Sequence, residues 1–374
     1  MLHDIIFIGF VLGHGGDAAQ MLELAAGMQS RGKRVKVVVP DLPTTQLFAQ
    51  QGLARGVEVV RTPLIRADPV APRQVPADLI RLFCSNPAKL LHLHTGDFCL
   101  SRTVPRVMGD LNIPPDKVVV TVHSPYDTLT PEHERAVAWA QAAGQRIRYI
   151  VCPSQHAIRT QLKYGVPERN LAHIPNGINT ALFRSGDGAR IRSELKIGQH
   201  EPLIVITSRL DSQKRPLDAL ASFERIASDI PAHLAFVGLG SLEADLRSKI
   251  HATGLSHRVH LMGHRDDVPD WLAAATVWVL PTEAENFSLA VLEALAAGCP
   301  IVSTLCKGNN EVLVADKNAL IHDVGDVDGI ASALRRVLSE PDLRDRLSAN
   351  AAVTSSKYGV DQMVDRYAAL YESL

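Results

Sequence analysis

Arg209 and Lys214 stand five residues apart in Ser208-Arg209-Leu210-Asp211-Ser212-Gln213-Lys214-Arg215-Pro216, a loop between an expected strand and an expected helix. A guanidinium offers a planar fork and an ammonium a point charge, so the two can converge on one pyrophosphate. A solvated basic turn would use the same residues. Glu285 and Glu293 mark a second place, in Pro281-Thr282-Glu283-Ala284-Glu285-Asn286-Phe287-Ser288-Leu289-Ala290-Val291-Leu292-Glu293. The strand stops at Pro281, an acidic loop follows, and the apolar run 287–297 reads as a helix that Gly298 and Pro300 end. Glu285 then precedes the helix and Glu293 lies within it, so the carboxylates reach one ligand at two places and do not form a catalytic pair. The N–H groups of Phe287, Ser288 and Leu289 would face an anion. The plainer reading makes Glu285 a first-turn acid favoured by the helix dipole and Glu293 an exposed helix position. The third place is Gly13-His14-Gly15-Gly16, between the opening strand and the first helix. Glycines there let the backbone approach a ligand, and the helix start offers N–H groups to an anion. The spacing is not G-x-G-x-x-G, and a tight turn would use the same residues.

Other polar groups read as structural. His92 and His94 share one face of a strand, but no third metal ligand stands near them, so they are expected to be strand-end polar residues. His251, His257, His260 and His264 are loosely spaced around a turn. Gly238-Leu239-Gly240 lacks the third glycine and the distant acid of a dinucleotide turn and reads as a structural turn. Asp326-Val327-Asp328, the one literal D-x-D, begins a late amphipathic helix.

The elements that must position these loops alternate almost from end to end. Short β-branched runs at 5–11, 35–39, 90–94, 118–123 and 149–153, then at 203–208, 233–238, 259–262, 277–281 and 301–304, are separated by longer amphipathic stretches such as 18–31, 216–228 and 242–253. Gly32 is placed to close the first helix. The class is α/β, as two doubly wound units of parallel strands covered by helices. Ile174-Pro175-Asn176-Gly177-Ile178-Asn179 punctuates the chain between them. A cleft between two such units, beyond the carboxyl ends of the strands, is the expected ligand position. The segment 62–76 holds Pro63, Pro69, Pro72 and Pro76 and is expected to be a loop.

Composition narrows the function. The 374 residues allow two domains with sizeable cores, and 39 basic against 40 acidic side chains argue against nucleic acid as the main partner. Residues 1–175 hold 19 basic and 14 acidic side chains, leaving 20 and 26 for the rest, so the halves differ in sign. Five cysteines without a C-x-x-C fit a reducing cytoplasm. The apolar start lacks a basic region and is too short to span a bilayer, so it reads as a strand, and membrane contact is expected to be peripheral at most.

Together, the G-G turn, S-R-L-x-x-x-K, I-P-N-G-I-N-x-x-x-F (174–183), V-G-L-G-S (237–241) and E-N-F-S-L-A-V-L-E resemble the retaining GT-B glycosyltransferases of family 4, with their E-x7-E pattern. The resemblance runs in the expected order along nearly the whole chain, to a final helix that returns to the first domain. It implies two Rossmann-like domains facing a central cleft: 1–176 for the acceptor, 177–355 for the nucleotide sugar, and 356–374 crossing back. Gly15 and Gly16 would lie against the donor diphosphate, and Arg209 and Lys214 would neutralise it as it departs. Glu285 would bind hydroxyls of the donor sugar, with N–H groups from Asn286, Phe287, Ser288 and Leu289 around sugar and phosphate. Glu293 would hold the ribose, the loop Gly263-His264-Arg265 would read the base, and His123 would sit near the sugar C6 hydroxyl and the reaction centre. The implied activity is transfer of a sugar, most commonly from a UDP-sugar, to a hydroxyl of a small soluble or saccharide acceptor. It would proceed by same-face attack, with no metal and no cofactor. A nucleotide-sugar 2-epimerase, a phosphorylase carrying pyridoxal phosphate and a non-catalytic nucleotide-sugar-binding protein share the architecture and stay open.

Overall fold

The computed structural model describes residues 4–9, 15–43, 45–62, 89–95, 114–123 and 147–374. The chain divides into two compact units, Met1–Gly177 with Val360–Leu374, and Ile178–Gly359. Residues 356–359, expected with the terminal helix, stay with the second unit because the Tyr358 carbonyl accepts the Ile178 N–H at 2.8 Å.

In the first unit the strands are β1 (Ile5–Gly9), β2 (Val35–Pro40), β3 (Glu58–Thr62), β4 (Leu90–Thr95), β5 (Val118–Val122), β6 (Tyr149–Cys152) and β7 (Leu171–His173), in the order β3-β2-β1-β4-β5-β6-β7. Every pairing is parallel. Runs such as Ile-Ile-Phe-Ile and Val-Val-Val-Thr-Val are buried along their whole length, as parallel strands covered on both faces must be. The first helix, Gly16–Ser30, lays Met21, Leu22, Leu24, Ala25 and Met28 on the sheet, and Gly32 follows at φ +80° with its N–H on the Gln29 carbonyl. The terminal helix, Val360–Glu372, buries Met363, Val364 and Tyr367 in the same core. Its Val364 lies so close to Gly27 that a Cβ there would be 2.5 Å from a methyl group.

The second unit carries β8 (Leu203–Thr207), β9 (His233–Val237), β10 (Val259–Leu261), β11 (Val277–Leu280), β12 (Ile301–Thr304) and β13 (Leu320–His322), ordered β10-β9-β8-β11-β12-β13 and again parallel. One apolar cluster lies on each side of this sheet, one around Trp271 and Trp278, the other around Phe223 and Phe236. Trp278 Nε1 donates to Thr207 Oγ1 at 2.9 Å, tying β11 to the end of β8.

Three strands lie outside the sequence expectation, β3, β7 and β13. All lie at sheet margins and two have only three residues, and the ladder supplies what their propensity does not. Thr62 ends β3, while the rest of the proline-rich stretch lies outside the described residues, as do Gly13, His14, Cys84 and Cys99. The expected helices 216–228 and 287–297 are Pro216–Glu224 and Leu289–Ala296. Among the described residues no helix is long and apolar enough to cross a membrane.

Candidate active site

In the second unit, chain order reverses between neighbours β8 and β11, and loops leaving the carboxyl ends of such a pair form the natural binding crevice of a doubly wound sheet. The Arg209–Lys214 loop leaves β8 and the Glu285 loop leaves β11, so topology brings together residues 71 positions apart. Lys214 Nζ lies 2.5 Å from Glu285 Oε1, and the two side chains are only 13% and 8% exposed. The family resemblance implies separate partners for these groups, diphosphate and sugar. They form a buried ion pair, which fixes the ammonium against the carboxylate.

Two residues that the sequence reading passed over build this pairing. Asp211 Oδ1 accepts the Lys214 N–H at 3.2 Å, and its Oδ2 lies 2.5 Å from Arg209 Nη1, so one carboxylate shapes the turn and holds the guanidinium. An Asp three residues before Lys214 is a legible capping signal. Gln213 accepts the Glu283 N–H at 2.8 Å on its carbonyl and donates Nε2 to the Ala284 carbonyl at 2.6 Å, stitching the two loops together. Nothing in its sequence context marks it.

Ser288 is the N-cap of the helix Leu289–Ala296, its hydroxyl accepting from the Val291 N–H. The helical ladder starts where the Leu292 N–H meets the Ser288 carbonyl. Orphan first-turn donors therefore centre on Ser288, Leu289 and Ala290, and Phe287, expected inside the helix, precedes it with its ring buried edge-on to Tyr358 at 5.4 Å. Glu293 is half-buried, where the plainer reading expected exposure, and burial pushes its carboxyl up to about 7. With the folded pKa above the unfolded one, the carboxyl favours the fold fully below pH ~4.5 and loses that contribution as pH rises to ~7, by at most about 3 kcal/mol. Urea melts at pH 5 and pH 8 should show wild type losing more stability than Glu293→Gln, and parallel losses would contradict the burial of this carboxyl.

Glycines set two close approaches around the pair. Gly308, at φ +90°, passes the Glu285 loop so closely that a Cβ would lie 1.9 Å from the Asn286 carbonyl oxygen. Gly238, at φ +153°, passes the Ser208 carbonyl with a Cβ position 2.0 Å away, while the Leu210 N–H donates to the Leu239 carbonyl at 2.9 Å. Gly308→Ala is expected to cost about 1–3 kcal/mol in thermal melts, because backbone and not a yielding side chain must move. An unshifted melting temperature would refute the packing argument.

His264 follows β10, its Nε2 3.4 Å from Asp266 Oδ1. Arg265 beside it is an anchor: its guanidinium meets Glu194 at 2.8 and 2.9 Å and Asp267 at 2.9 and 2.7 Å, and lies over the Trp271 ring. The Gly263 carbonyl accepts the Gly238 N–H at 2.8 Å, so this loop continues the edge that holds Arg209.

In the first unit, chain order reverses between β1 and β4. Gly15 caps the first helix in extended conformation, its carbonyl accepting the Ala19 N–H, and Gly16 opens the helix. His123 follows β5, with its N–H on the Thr95 carbonyl at 2.9 Å and Nε2 3.1 Å from His94 Nδ1. His92 and His94, expected at a strand end, are fully buried within β4. Burial holds both far below the usual histidine range and lowers His123 too, against the opposing charge of Asp17.

Two doubly wound parallel-sheet units are the architecture of the GT-B fold. HepE of Anabaena, solved in complex with UDP and glucose, shares this fold with a TM-score of 0.84 at 18% identity over 100% of both chains. WaaG, a glycosyltransferase involved in lipopolysaccharide biosynthesis, shares it with a TM-score of 0.75 at 15% identity over 98% of this chain and 99% of that one. The sequence model of Glycosyl transferases group 1 matches residues 187–354, and that of Glycosyltransferase Family 4 matches residues 14–182. N-acetyl-alpha-D-glucosaminyl L-malate synthase of Bacillus anthracis is 25% identical over 256 residues, 68% of this chain and 67% of that protein. D-inositol 3-phosphate glycosyltransferase 1 of Catenulispora acidiphila is 26% identical over 265 residues, 66% of this chain and 63% of that protein. The chain belongs to glycosyltransferase family 4 and is a glycosyltransferase.

Proposed function

We propose that the protein moves a sugar from a nucleoside diphosphate donor, UDP-linked in the first instance, to a hydroxyl of a small soluble or saccharide acceptor, retaining the anomeric configuration and using no metal. The observation that carries this reading is the Lys214–Glu285 pair at the β8/β11 switch point, with Arg209 beside it. Breaking an anomeric C–O bond leaves positive charge on the sugar and negative charge on the departing diphosphate. Fixed cations are what that transition state needs, and Arg209 and Lys214 supply the charge a metal would otherwise bring. Glu285 holds Lys214 with one oxygen and takes sugar hydroxyls with the other. Ser288, Leu289 and the backbone around Asn286 and Phe287 surround the phosphate, and Glu293 accepts from the ribose.

No carboxylate is assigned as a nucleophile in this reading. The reading therefore has the acceptor oxygen attack on the face the leaving group vacates, its proton passing to a leaving-phosphate oxygen. A cytoplasmic location belongs to the same reading, and the free, buried thiols of Cys152, Cys299 and Cys306 suit it. The test is a thermal-shift panel of UDP, GDP and ADP and their sugars. UDP should stabilise wild type and do so far less in Arg209→Ala, whereas indifference to all three nucleotides would refute the donor assignment.

A further inference from the structure

A column of polar side chains crosses the core of the first unit and ends at His123. Tyr371, on the terminal helix, places its hydroxyl 2.6 Å from His92 Nδ1, and His92 Nε2 lies 2.8 Å from Thr121 Oγ1. Thr121 continues to the Tyr367 hydroxyl at 2.9 Å, which also receives Gln20 Nε2 at 3.4 Å. His94 lies beside His92, ring centroids 4.3 Å apart, both packed against Phe7. In parallel register His94 stands opposite Thr121, so its ring reaches His123 two residues further on. The His94 and His123 ring planes are inclined by 24° to each other, with Nδ1 and Nε2 3.1 Å apart.

The other nitrogen of His94, Nε2, is buried and has no hydrogen-bond partner among the described residues. A neutral imidazole has one N–H and one lone pair. If His94 accepted from His123, its own proton would sit on Nε2 as a buried donor with nothing to receive it. A buried N–H with no acceptor is rarer than an acceptor with a spare lone pair. If His94 donates from Nδ1, the orphan is a lone pair, and the N–H is used. His123 then accepts on Nε2 and carries its proton on Nδ1.

We infer that His94 is a positioning residue that fixes His123 as its Nδ1–H tautomer, so that His123 offers a hydrogen-bond donor, and not a base, to whatever oxygen it meets. The consequence for chemistry rests on the proposed reading, in which His123 stands near the reacting sugar. A donor there would hold a sugar hydroxyl and could not take the acceptor's proton, which agrees with that proton leaving on the phosphate.

The test is long-range 1H–15N correlation on histidine-labelled protein at pH 7.5, where these rings are neutral. The expected result is a protonated Nδ1 and a bare Nε2 at His123 in wild type. His94→Asn, whose side-chain amide can donate from nearly the same place, should keep that pattern, and His94→Phe, which fills the space without a donor, should lose it. A His123 protonated at Nε2 in wild type would overturn the inference, and that measurement needs no variant to fold. None of these signals depends on turnover, so an enzyme silent with every donor would leave the inference standing, and a wrong tautomer would leave the sugar-transfer reading standing.

Discussion

Lys214→Ala is expected to abolish most turnover and, unlike a simple loss of a ligand contact, to weaken the fold as well. The ammonium removed is 13% exposed and its partner Glu285 8%, so the variant strands a buried carboxylate. Breaking a buried pair from one side costs about 3–5 kcal/mol, whereas replacing both members with apolar groups is often neutral. Removal of one fixed charge from a developing anion lowers turnover by about 10²–10³-fold. Lys214→Met with Glu285→Leu therefore separates the two effects: stability should recover toward wild type while transfer stays lost. A double variant as unstable as Lys214→Ala would show that the pair is not the source of the stability cost. An active Lys214→Ala would remove the lysine from the mechanism.

Arg209→Ala is the second large effect, and it should fall on function alone. The Arg209 side chain is 56% exposed and held mainly by Asp211 at 2.5 Å, and Asp211 still caps the Lys214 turn when the guanidinium is gone. Stability should change by no more than about 0.5 kcal/mol, as for a surface substitution. Turnover should fall about 10²–10³-fold, and UDP should bind more weakly. Arg209→Lys should recover only part, because an ammonium lacks the planar fork that spans two phosphate oxygens. Calorimetric UDP titrations and melting curves check both halves, and a destabilised Arg209→Ala with undiminished affinity would reverse the assignment.

The α/β class was legible because its signal is periodic and repeated: Val118–Val122 and Leu203–Thr207 are unbroken apolar runs that only doubly covered strands tolerate. Glu58–Thr62 escaped notice because this marginal strand holds only two valines between charged residues and is completed by its neighbour's hydrogen bonds. In the site, residue types and spacing picked out Arg209, Lys214 and Glu285, each where a strand gives way to a helix, and Glu293 within the helix that follows. The pairing of Lys214 with Glu285 was not legible. It depends on β8 and β11 being adjacent although two strands separate them in sequence. The burial of His94 was not legible for the same kind of reason: an H-x-H at the end of an apolar run reads only as strand-end polar residues until β1, β5 and the terminal helix close over it.

The central claim is that the loops leaving β8 and β11 hold a nucleoside diphosphate sugar for transfer. Mass spectrometry of wild type and Arg209→Ala, each incubated with pooled nucleotide sugars and pooled hydroxyl acceptors, tests it most directly. The account predicts that wild type releases nucleoside diphosphate and forms a sugar–acceptor adduct in equal amounts, while Arg209→Ala forms neither above background. Donor left intact by wild type, or donor converted without any acceptor adduct, would contradict it.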